Sequence, residues 1–391
     1  MTTLIPKINF KNGGSTPTGA VNRTINQKSQ DYVSVKDFGA IGDNVADDTV
    51  AIQAALDAFK GIHIPQGNYK ITAPLNLNNN NFIFGEGRGS ILTSTHDGAV
   101  FQGKAVTPAS GTNVRRFSGG GSNFMIYGPG VASTSSIGLD MRGCTMFKWF
   151  DVLIQNINTG VFQGGGYSTY YNEYYGVDIS TVEFGYYSDS LGNENLVVGG
   201  RVNDCTTGTR DADNSHNKYI GLAIEVFTNG HLTTSPACSY ITYISSRLEN
   251  VPTTGTAFNI SSDSQDTTII APAMIGVSTE LSNSGLRLNM LASEWFAIAS
   301  GTRIKGHFSQ VVTQTIAPLA AGAVRQELFT VPNVAVGNSI FFTAPASWPA
   351  GLVAGPVING GTNTVYVQLY NPTVSTITPS SANYIFDIWK H

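Results

Sequence analysis

Residues 33–71 read VSVKDFGAIGDNVADDTVAIQAALDAFKGIHIPQGNYKI, and their pattern is the strongest indication of the fold. It alternates like a strand over 33–35 and is turn-like over 39–47. Asp48 is placed to cap a helix that ends before Gly61. The apolar residues of this helix are Val50, Ile52, Ala55, Leu56 and Phe59. A strand at 62–64, a turn at 65–68 and a strand at 69–71 follow, so one amphipathic helix is predicted to lead into short strands.

The same stretch resembles the opening segment of pectate-lyase-like β-helix proteins, in the form found in bacteriophage tailspikes. The resemblance implies an all-β fold, a single-stranded right-handed parallel β-helix, whose open N-terminal end is capped by the helix at about 48–60. Residues 19–24 resemble the segment that joins virion-attachment regions to such β-helices. Asp43, Asp47 and Asp48 are interpreted as turn and N-cap residues rather than as a metal-binding loop.

The composition favours strands and turns over helices. Among 391 residues 41% are apolar, only 12% are charged and 43 are glycine. The surface must therefore take its polarity from amides, hydroxyls and tyrosines, which suit sugars better than phosphates. The formal net charge of −4, without a dense Lys/Arg run, argues against nucleic acid as a partner.

The cysteines and histidines give no sign of a disulfide framework or a metal site. Cys144, Cys205 and Cys238 are odd in number and widely spaced, so we expect reduced thiols in the core. The histidines lack metal-binding spacing, and neither a metal nor another cofactor is expected. No signal peptide and no run of about 18 apolar residues occurs, so we expect no membrane insertion. The resemblance implies a place in the phage virion, after synthesis in the host cytoplasm.

Short strands recur between about residues 80 and 295 at intervals of some two dozen residues, which is typical of a solenoid. Aligning them predicts stacked columns. One polar column contains Gln155, Ser180, Asn203, Glu225 and Glu249. The column two residues earlier contains Leu153, Asp178, Arg201, Ala223 and Arg247. The apolar column between them contains Ile154, Ile179, Val202, Ile224 and Leu248. Because strand residues alternate sides, the apolar column should point inward and the other two should share one outer face.

These patterns divide the chain into three regions. Residues 1–32 are polar and are predicted to form an N-terminal arm for virion attachment. Residues 33–300 form the solenoid. Residues 301–391 contain longer alternating runs, at 326–331, 339–343, 364–370 and 384–389, and are predicted to form a small antiparallel β domain. This last region resembles the C-terminal trimerisation domains of tailspikes and would cover the exposed edge of the last coil.

The charged columns carry the candidate catalytic residues Glu225, Glu249 and Arg247. Neighbouring rungs of a parallel sheet lie about 4.8 Å apart, so the two carboxylates should stack with Arg247 beside them. One pKa should then rise while Arg247 keeps the other carboxylate charged, which separates an acid from a nucleophile or base. The short spacing suits a retaining glycosidase. The alternative is a structural ion-pair stack that fixes the register of the rungs.

Asp178, Arg201 and Asn203 extend this face into a polar groove that could hold several sugar residues. Tyrosines crowd the neighbouring sequence, and a tyrosine ring offers a flat apolar face and a polar tip to a sugar ring. Tyr175 and Tyr187 are therefore predicted to bind substrate.

Other tyrosines and carboxylates nearby receive structural interpretations. Tyr174 and Tyr186 occupy alternate positions and are predicted to point inward. Asp204, Asp211 and Asp213 are placed in a surface loop over 204–216, beyond a strand end, which could reach a neighbouring subunit.

Three functions remain open from the sequence. The leading one is a tailspike that hydrolyses glycosidic bonds in a bacterial capsular or O-antigen polysaccharide. The second is a lyase acting on a glycan that contains uronic acid, although no repeated Asp cluster stacks on the helix to hold calcium. The third is a glycan-binding spike without catalysis. In each case the resemblance implies a homotrimer whose N-terminal arm contacts other phage tail components, and a groove between subunits would compete with the one described above.

Overall fold

The computed structural model describes residues 7–8, 21, 23–29, 33–103, 116–234, 238–261, 264–283, 288–291 and 307–389. Two parallel sheets wind around one interior as a right-handed parallel β-helix, which confirms the fold class expected from the sequence. The strands of sheet 1, from the first coil to the last, are Val33–Ser34, Gly61–Ile64, Asn81–Gly85, Arg116–Ser122, Cys144–Phe150, Glu173–Tyr175, Leu196–Val198, Lys218–Ile220, Thr242–Ile244, Thr267–Ile270 and Leu288–Leu291, with Thr169–Tyr170 and Gly192–Asn193 beside them.

Sheet 2 contains the longer strands. They are Asp43–Asp47, Gly67–Ile71, Ser90–Ser94, Met125–Tyr127, Leu153–Gln163, Asp178–Ser188, Arg201–Ala212, Ala223–Thr234, Arg247–Ile260 and Ala273–Asn283, joined at one side by Leu75–Asn76, Ala99–Gln102 and Ile137–Asp140. Most strands pair with the strand one coil earlier and one coil later, so residues about two dozen apart in sequence become neighbours.

Residues with positive φ mark the corners of the coils. One set of corners, which enters sheet 1, contains Tyr171, Glu194, His216 and Tyr240. A second set, between the sheets, contains Gly176, Gly199, Gly221 and Ser245. A third set bends the long strands of sheet 2 at Asn156, Thr181, Asp204 and Val226. We call the outer side of sheet 1 face A. Face B is the outer side of sheet 2 before the third set of bends, at residues 153–155, 178–180, 201–203, 223–225 and 247–249. Face C is the outer side of sheet 2 after these bends, at residues 157–163, 182–188, 205–212 and 227–234.

The interior is apolar with a polar spine. The inner column predicted from the sequence, from Ile154 to Leu248, is fully buried. Asn172, Asn195 and Asn217 stack inside as a ladder, in which each backbone N–H donates to the amide oxygen one rung later, at 3.0 Å from Asn172 and 2.9 Å from Asn195. These amides satisfy buried backbone donors at a corner, where the regular sheet pairing is interrupted. The three cysteines are buried thiols, as expected.

The predicted helix is Thr49–Ala58, and Ile52, Ala55 and Leu56 bury their side chains in the core of the first coils. Val50, which was assigned to the same apolar set, is instead 79% exposed. Helical spacing places it on the opposite side from Ile52, so the buried face of the helix contains only part of its apolar residues. A short 3-10 helix, Val35–Phe38, precedes this element, and a second, Gly87–Gly89, lies between two strands.

The aspartates before the helix organise the turn, as predicted. Asp43 accepts from the backbone N–H groups of Val45 and Ala46, and Asp47 accepts from Thr49. Asp48 occupies the N-cap position, but its buried carboxylate turns back to Ile41 and Gly42 and makes no capping bond. The capping role assigned to the Asp48 side chain was therefore wrong. Residues 43–47 also pair as a strand, not only as a turn.

Residues 307–389 form antiparallel sheets with a separate core. Strands His307–Gln314, Ala382–Trp389 and Ser339–Thr343 make one sheet, and Val324–Thr330, Thr364–Tyr370 and Val353–Gly361 make the other. Their inner faces meet around Phe329, Tyr384 and Phe386. The predicted antiparallel module is confirmed, whereas the strands at 307–314 and 353–361 were not predicted.

Little of the predicted N-terminal arm is described. Strands Lys7–Ile8 and Arg23–Thr24 pair with each other, and the helix Ile25–Ser29 follows. Half of the 19–24 segment and the predicted boundary near residue 300 lie outside the described residues. Within those residues, no helix is long and apolar enough to span a membrane.

Candidate functional site

Face B carries the two polar columns that the sequence analysis aligned. Asn203 lies in register with Glu225, and Glu225 lies in register with Glu249 on the next rung. In the column two residues earlier, Asp178 pairs with Arg201, and the rung of Arg247 follows that of Ala223. The alignment predicted from spacing alone is therefore correct across all five rungs.

Opposite charges alternate along face B as a row of ion pairs, which we call the ladder: Arg88, Asp178, Arg201, Glu225, Arg247 and Glu249. Arg88 Nη2 lies 3.3 Å from Asp178 Oδ2, and Arg201 Nε lies 3.2 Å from Asp178 Oδ1. Arg201 Nη1 lies 3.7 Å from Glu225 Oε2 on the next rung. The hydrogen bonds to Asp178 raise the pKa of the Arg201 guanidinium, so this cation stays charged throughout the working pH range. Each carboxylate of the ladder thus has a cationic partner.

Arg247 joins the two predicted catalytic carboxylates. Its Nη1 donates to Glu225 Oε1 at 2.6 Å, and its Nη2 donates to Glu249 Oε2. We expected this guanidinium to hold one carboxylate, but the structure shows it shared between both. The planar fork of Arg has donors on separate edges, so it can reach its own rung and the preceding one together. The splitting of the two pKa values stays a prediction.

Both glutamates remain open to solvent, with side chains 24% exposed at Glu225 and 30% at Glu249. A polymer lying along face B would therefore meet both carboxylates, the guanidinium groups between them and the amide of Asn203. Ser180, in the same column, is buried, whereas Gln155 and Asn203 on the neighbouring rungs are half-buried.

The two predicted substrate-binding tyrosines do not lie on face B. Tyr175 is on face A, where it stacks on Phe150 with ring centroids 5.1 Å apart and donates to Glu173 Oε2 at 2.6 Å. Tyr187 is on face C, beneath the guanidinium of Arg210, which lies 4.5 Å from its ring centre. The bend at Thr181 turns the strand between Asp178 and Tyr187, and strand alternation in the sequence does not reveal such a bend.

Arg88 is a ladder residue that sequence reasoning missed. It lies in the turn 85–89 (GEGRG), 90 residues before its partner Asp178. The column alignment began at Leu153, and only an alignment extended to the earlier coils would have placed this turn beside face B.

The surface loop predicted over 204–216 is wrong in its main part. Arg201–Ala212 is one continuous strand, and Asp211 points into the core. Its Oδ1 accepts from Asn217 at 2.9 Å, Asn214 at 3.1 Å and Tyr219 at 3.2 Å. Burial raises the pKa of Asp211 to about 6, although these hydrogen bonds oppose the shift. The strand continues to Ala212, beyond the end predicted for it, and Asp211 is accommodated inside because the interior supplies it with hydrogen-bond donors.

Other assignments of the same region hold. Tyr174 and Tyr186 are fully buried, as predicted. Asp204 and Asp213 are exposed, the former at a corner where Thr181 donates to it. Among the described residues, no group of three or more His, Cys, Asp or Glu side chains is arranged to hold a metal ion.

Comparisons with known proteins match the chain over different extents, and the family comparison covers about half of it. A family model described as rhamnogalacturonase A/epimerase, pectate lyase-like, matches residues 32–231. That span is 200 of the 391 residues. The resemblance to pectate-lyase-like proteins inferred from residues 33–71 is thereby confirmed.

Curated relatives match over shorter stretches. Mannuronan C5-epimerase AlgE6 of Azotobacter vinelandii is 41% identical over 82 residues, which is 18% of this chain and 9% of the epimerase. Alginate lyase 7 of the same organism is 38% identical over 77 residues, 17% of this chain and 9% of the lyase. The chain thus spans less than a tenth of these two proteins.

Solved structures match over most of the chain at low identity. The tailspike of Escherichia coli bacteriophage HK620, solved with a hexasaccharide, has a TM-score of 0.44 at 11% identity, covering 98% of this chain and 97% of that one. ORF18 of Geobacillus virus E2 has a TM-score of 0.42 at 14% identity, covering 96% and 82%. Tailspike protein 3 of bacteriophage CBA120 has a TM-score of 0.33 at 13% identity, covering 77% and 69%.

Proposed function

Because the chain belongs to the pectate-lyase-like family of rhamnogalacturonase A and epimerases, we propose that it is a tailspike subunit that binds and hydrolyses a bacterial surface polysaccharide. The observation that carries the proposal is the pair Glu225 and Glu249 on adjacent rungs of face B, bridged by Arg247. The polymer would be a capsular or O-antigen chain lying along the ladder.

Adjacent rungs about 4.8 Å apart favour hydrolysis with retention, in which one carboxylate attacks the anomeric carbon and the other protonates the leaving oxygen. We assign the attacking role to Glu225, because the guanidinium of Arg201 lies near it in addition to that of Arg247. Glu249 then protonates the glycosidic oxygen, the carbon–oxygen bond breaks, and a glycosyl ester forms on Glu225. Water, deprotonated by Glu249, hydrolyses that ester and restores both groups.

The other ladder residues would position the polymer. Arg247 holds both carboxylates at fixed heights, and its two N–H groups can re-bond to sugar hydroxyls as the substrate displaces a carboxylate. Asp178, Arg201 and Asn203 offer acceptors and donors one and two rungs away, which is the spacing of successive residues along a bound chain. Tyr175 and Tyr187 lie at the flanking faces and would contact only a chain that wraps a corner.

A lyase acting on a uronic acid is the second candidate, because three guanidinium groups line face B at Arg88, Arg201 and Arg247. A guanidinium binds a carboxylate through two parallel hydrogen bonds and would neutralise a uronate during proton abstraction. Elimination leaves a carbon–carbon double bond in the product, whereas hydrolysis does not.

The reaction class is tested by incubating the protein with a panel of capsular and O-antigen polysaccharides and measuring reducing ends and near-ultraviolet absorbance in the same tubes. Hydrolysis predicts new reducing ends without absorbance. Absorbance that grows with the reducing ends would replace hydrolysis by elimination. Tight binding of a polysaccharide without release of new reducing ends would show that the protein binds the glycan but does not cleave it.

We also propose that the protein is a homotrimer held partly by residues 307–389. Val311, Phe341 and Ile385 lie on the outer side of one sheet and are 59%, 58% and 38% exposed. An apolar sheet face of this kind in water marks an interaction surface. Copies of the same chain are the proposed occupants, and the N-terminal arm would contact other tail components.

A further inference from the structure

Face A carries a pocket separate from the ladder, with a volume of about 270 Å³. It is lined by Tyr171, Glu173, Glu194, Leu196, His216 and Lys218. The lining residues come from three successive coils, on the strands Glu173–Tyr175, Leu196–Val198 and Lys218–Ile220 and the corners that precede them. The pocket is at the small end of ligand sites, which suits one sugar ring rather than an oligosaccharide.

The corner residues of this pocket are held in a conformation that disfavours large side chains. Tyr171, Glu194 and His216 have φ of 58°, 58° and 61°. The next corner of the same coils has the same kind of φ but uses glycine, at Gly176 and Gly199. Glycine is the unstrained choice for such a bend, so the side chains beside the pocket are kept despite a conformational cost. The contrast between large side chains at one corner and glycines at the next indicates that the large side chains have a function, such as contacting a ligand.

The carboxylate of Glu173 is prepared to accept a ligand's hydrogen bonds. Its Oε2 accepts from Tyr175 at 2.6 Å and lies 3.0 Å from Lys148 Nζ. Desolvation opposes ionisation, but these two contacts outweigh it and hold the pKa of Glu173 below its ordinary value. Both of these contacts are made by Oε2.

The remaining lining supplies stacking surfaces and a second carboxylate. Tyr171 hydrogen-bonds to Glu194, which raises the pKa of the tyrosine, so its phenol keeps its proton. His216 stacks on Tyr240 with ring centroids 4.7 Å apart, which fixes the imidazole plane at the edge of the pocket. Leu196 provides an apolar floor. Lys218 lines the pocket together with Glu173 and Glu194, and Lys148 pairs with Glu173 from outside the lining. These four groups carry no net charge, so the site favours an uncharged ligand.

We propose that this pocket is a second saccharide-binding site, distinct from the ladder, that holds one uncharged pyranose. Its ring packs against Tyr171 and Leu196, and its hydroxyls donate to the carboxylates of Glu173 and Glu194. The ligand class rests on the polysaccharide function proposed above, whereas the location rests on the pocket alone. Such a site would tether a branch or neighbouring chain of the polymer while the ladder acts on another part.

Saturation-transfer difference NMR on the full chain tests the proposal, with methyl mannoside, methyl galactoside, N-acetylglucosamine and glucuronic acid as separate probes. At least one uncharged probe should bind, and glucuronic acid should not compete with it. Tyr171→Ala and Glu194→Gln should each weaken binding at least fivefold. Phe82→Ala removes an exposed ring from the same column of face A several rungs earlier and should leave binding unchanged.

The ladder variant Glu225→Gln/Glu249→Gln separates this site from the proposed catalytic one. It should bind the probe as the wild type does, even if it no longer cleaves polymer. Binding that survives in Tyr171→Ala and Glu194→Gln, or is lost in the ladder variant, would overturn the pocket assignment. Absence of binding by all uncharged probes would overturn it too. If the protein binds the probe in this pocket but cleaves no polysaccharide, the pocket assignment stands and only the hydrolase proposal is contradicted.

Discussion

Arg247 and Glu225 lie on adjacent rungs of face B, and Arg247 Nη1 donates to Glu225 Oε1 at 2.6 Å. Strand pairing fixes the two backbones, with Ala223 opposite Arg247 and Glu225 opposite Glu249. The position of the carboxylate is therefore set by the register of the solenoid as well as by the guanidinium. The same contact has a structural and a catalytic interpretation, and substitutions in the ladder distinguish between them.

Removing the shared cation should damage catalysis more than folding. Arg247→Ala frees both carboxylates from their common partner, and a misplacement of about 1 Å can lower a rate by about 10²-fold. We expect a fall of that size in kcat, with a rise in KM because polymer contacts are lost as well. Kinetics with a cleaved polysaccharide measures both.

The matched control is Arg325→Ala, which breaks an equivalent pair with Glu327 two residues along a strand of the C-terminal module. It should leave kcat and KM unchanged. Values of kcat and KM for Arg247→Ala that equal those of the wild type would show that Arg247 has no part in the mechanism.

The ladder should contribute little to stability. Asp178 and Arg201 are both partly exposed, and pairs of that kind contribute about 0.2–1 kcal/mol. A double-mutant cycle with Asp178→Ala and Arg201→Ala, followed by denaturant unfolding, should give a coupling free energy in this range that shrinks as salt is added. A salt-insensitive coupling of several kcal/mol would favour the structural interpretation of the ladder.

The exposed sheet face of the C-terminal module should be needed for assembly. Phe341→Lys places a charge in the centre of that face and should shift the protein from trimer toward monomer, because burying an unpaired charge is costly. Sedimentation equilibrium measures the change. Val374→Lys alters a residue that is 96% exposed outside the strands and should leave the trimer intact. A wild-type protein that sediments as a monomer would contradict the proposed assembly directly.

The buried carboxylate of Asp211 should make stability depend on pH. Its pKa rises from 3.8 to about 6 on burial, so the folded chain binds a proton that the unfolded chain releases between these values. Stability from this group is fully present below pH 4 and is lost as pH rises through 6. The shift corresponds to about 3 kcal/mol.

His231 acts in the opposite direction within the same window. Burial lowers its pKa from 6.5 to about 3, so its contribution is present above pH 6.5 and is lost as pH falls through 3. The free energy of unfolding of the wild type therefore depends on pH through two opposed contributions. The difference in this free energy between the wild type and an Asp211 variant isolates the contribution of Asp211. The wild type should lose about 3 kcal/mol relative to Asp211→Asn between pH 3 and pH 7. The control is Asp213→Asn, which alters an exposed carboxylate. A stability difference between the wild type and Asp211→Asn that does not change with pH would show that burial does not raise the pKa of Asp211.

The sequence was sufficient to predict the solenoid and the register of face B. Apolar residues from Ile154 to Leu248 recur about every two dozen positions, and flanking polar residues must then lie outside. A one-residue error would have moved every apolar side chain to the surface, which is why the columns could be aligned from spacing alone.

The corners and the interior polar groups could not be predicted in the same way. Alternation within a strand carries no sign of the bend at Thr181, so the sequence could not show that Tyr187 lies on face C, away from the ladder. Asp211 was placed outside because its hydrogen-bond partners, Asn217 and Tyr219, become neighbours only after the chain coils. The ion pairs between rungs depend on side-chain rotamers, which the sequence does not specify. The structure is therefore needed to show that two carboxylates share Arg247.

The catalytic role of the paired carboxylates is tested by the cleavage rates of Glu225→Gln and Glu249→Gln on a polysaccharide that the wild type degrades. Glu183→Gln, which alters a carboxylate on face C that accepts from Thr206, is the matched control. Each ladder substitution should lower the rate by about 10²–10⁴-fold while the melting temperature and oligomeric state stay unchanged, and the control should be fully active. Wild-type rates in both ladder variants would show that Glu225 and Glu249 are structural and that cleavage takes place elsewhere on the protein.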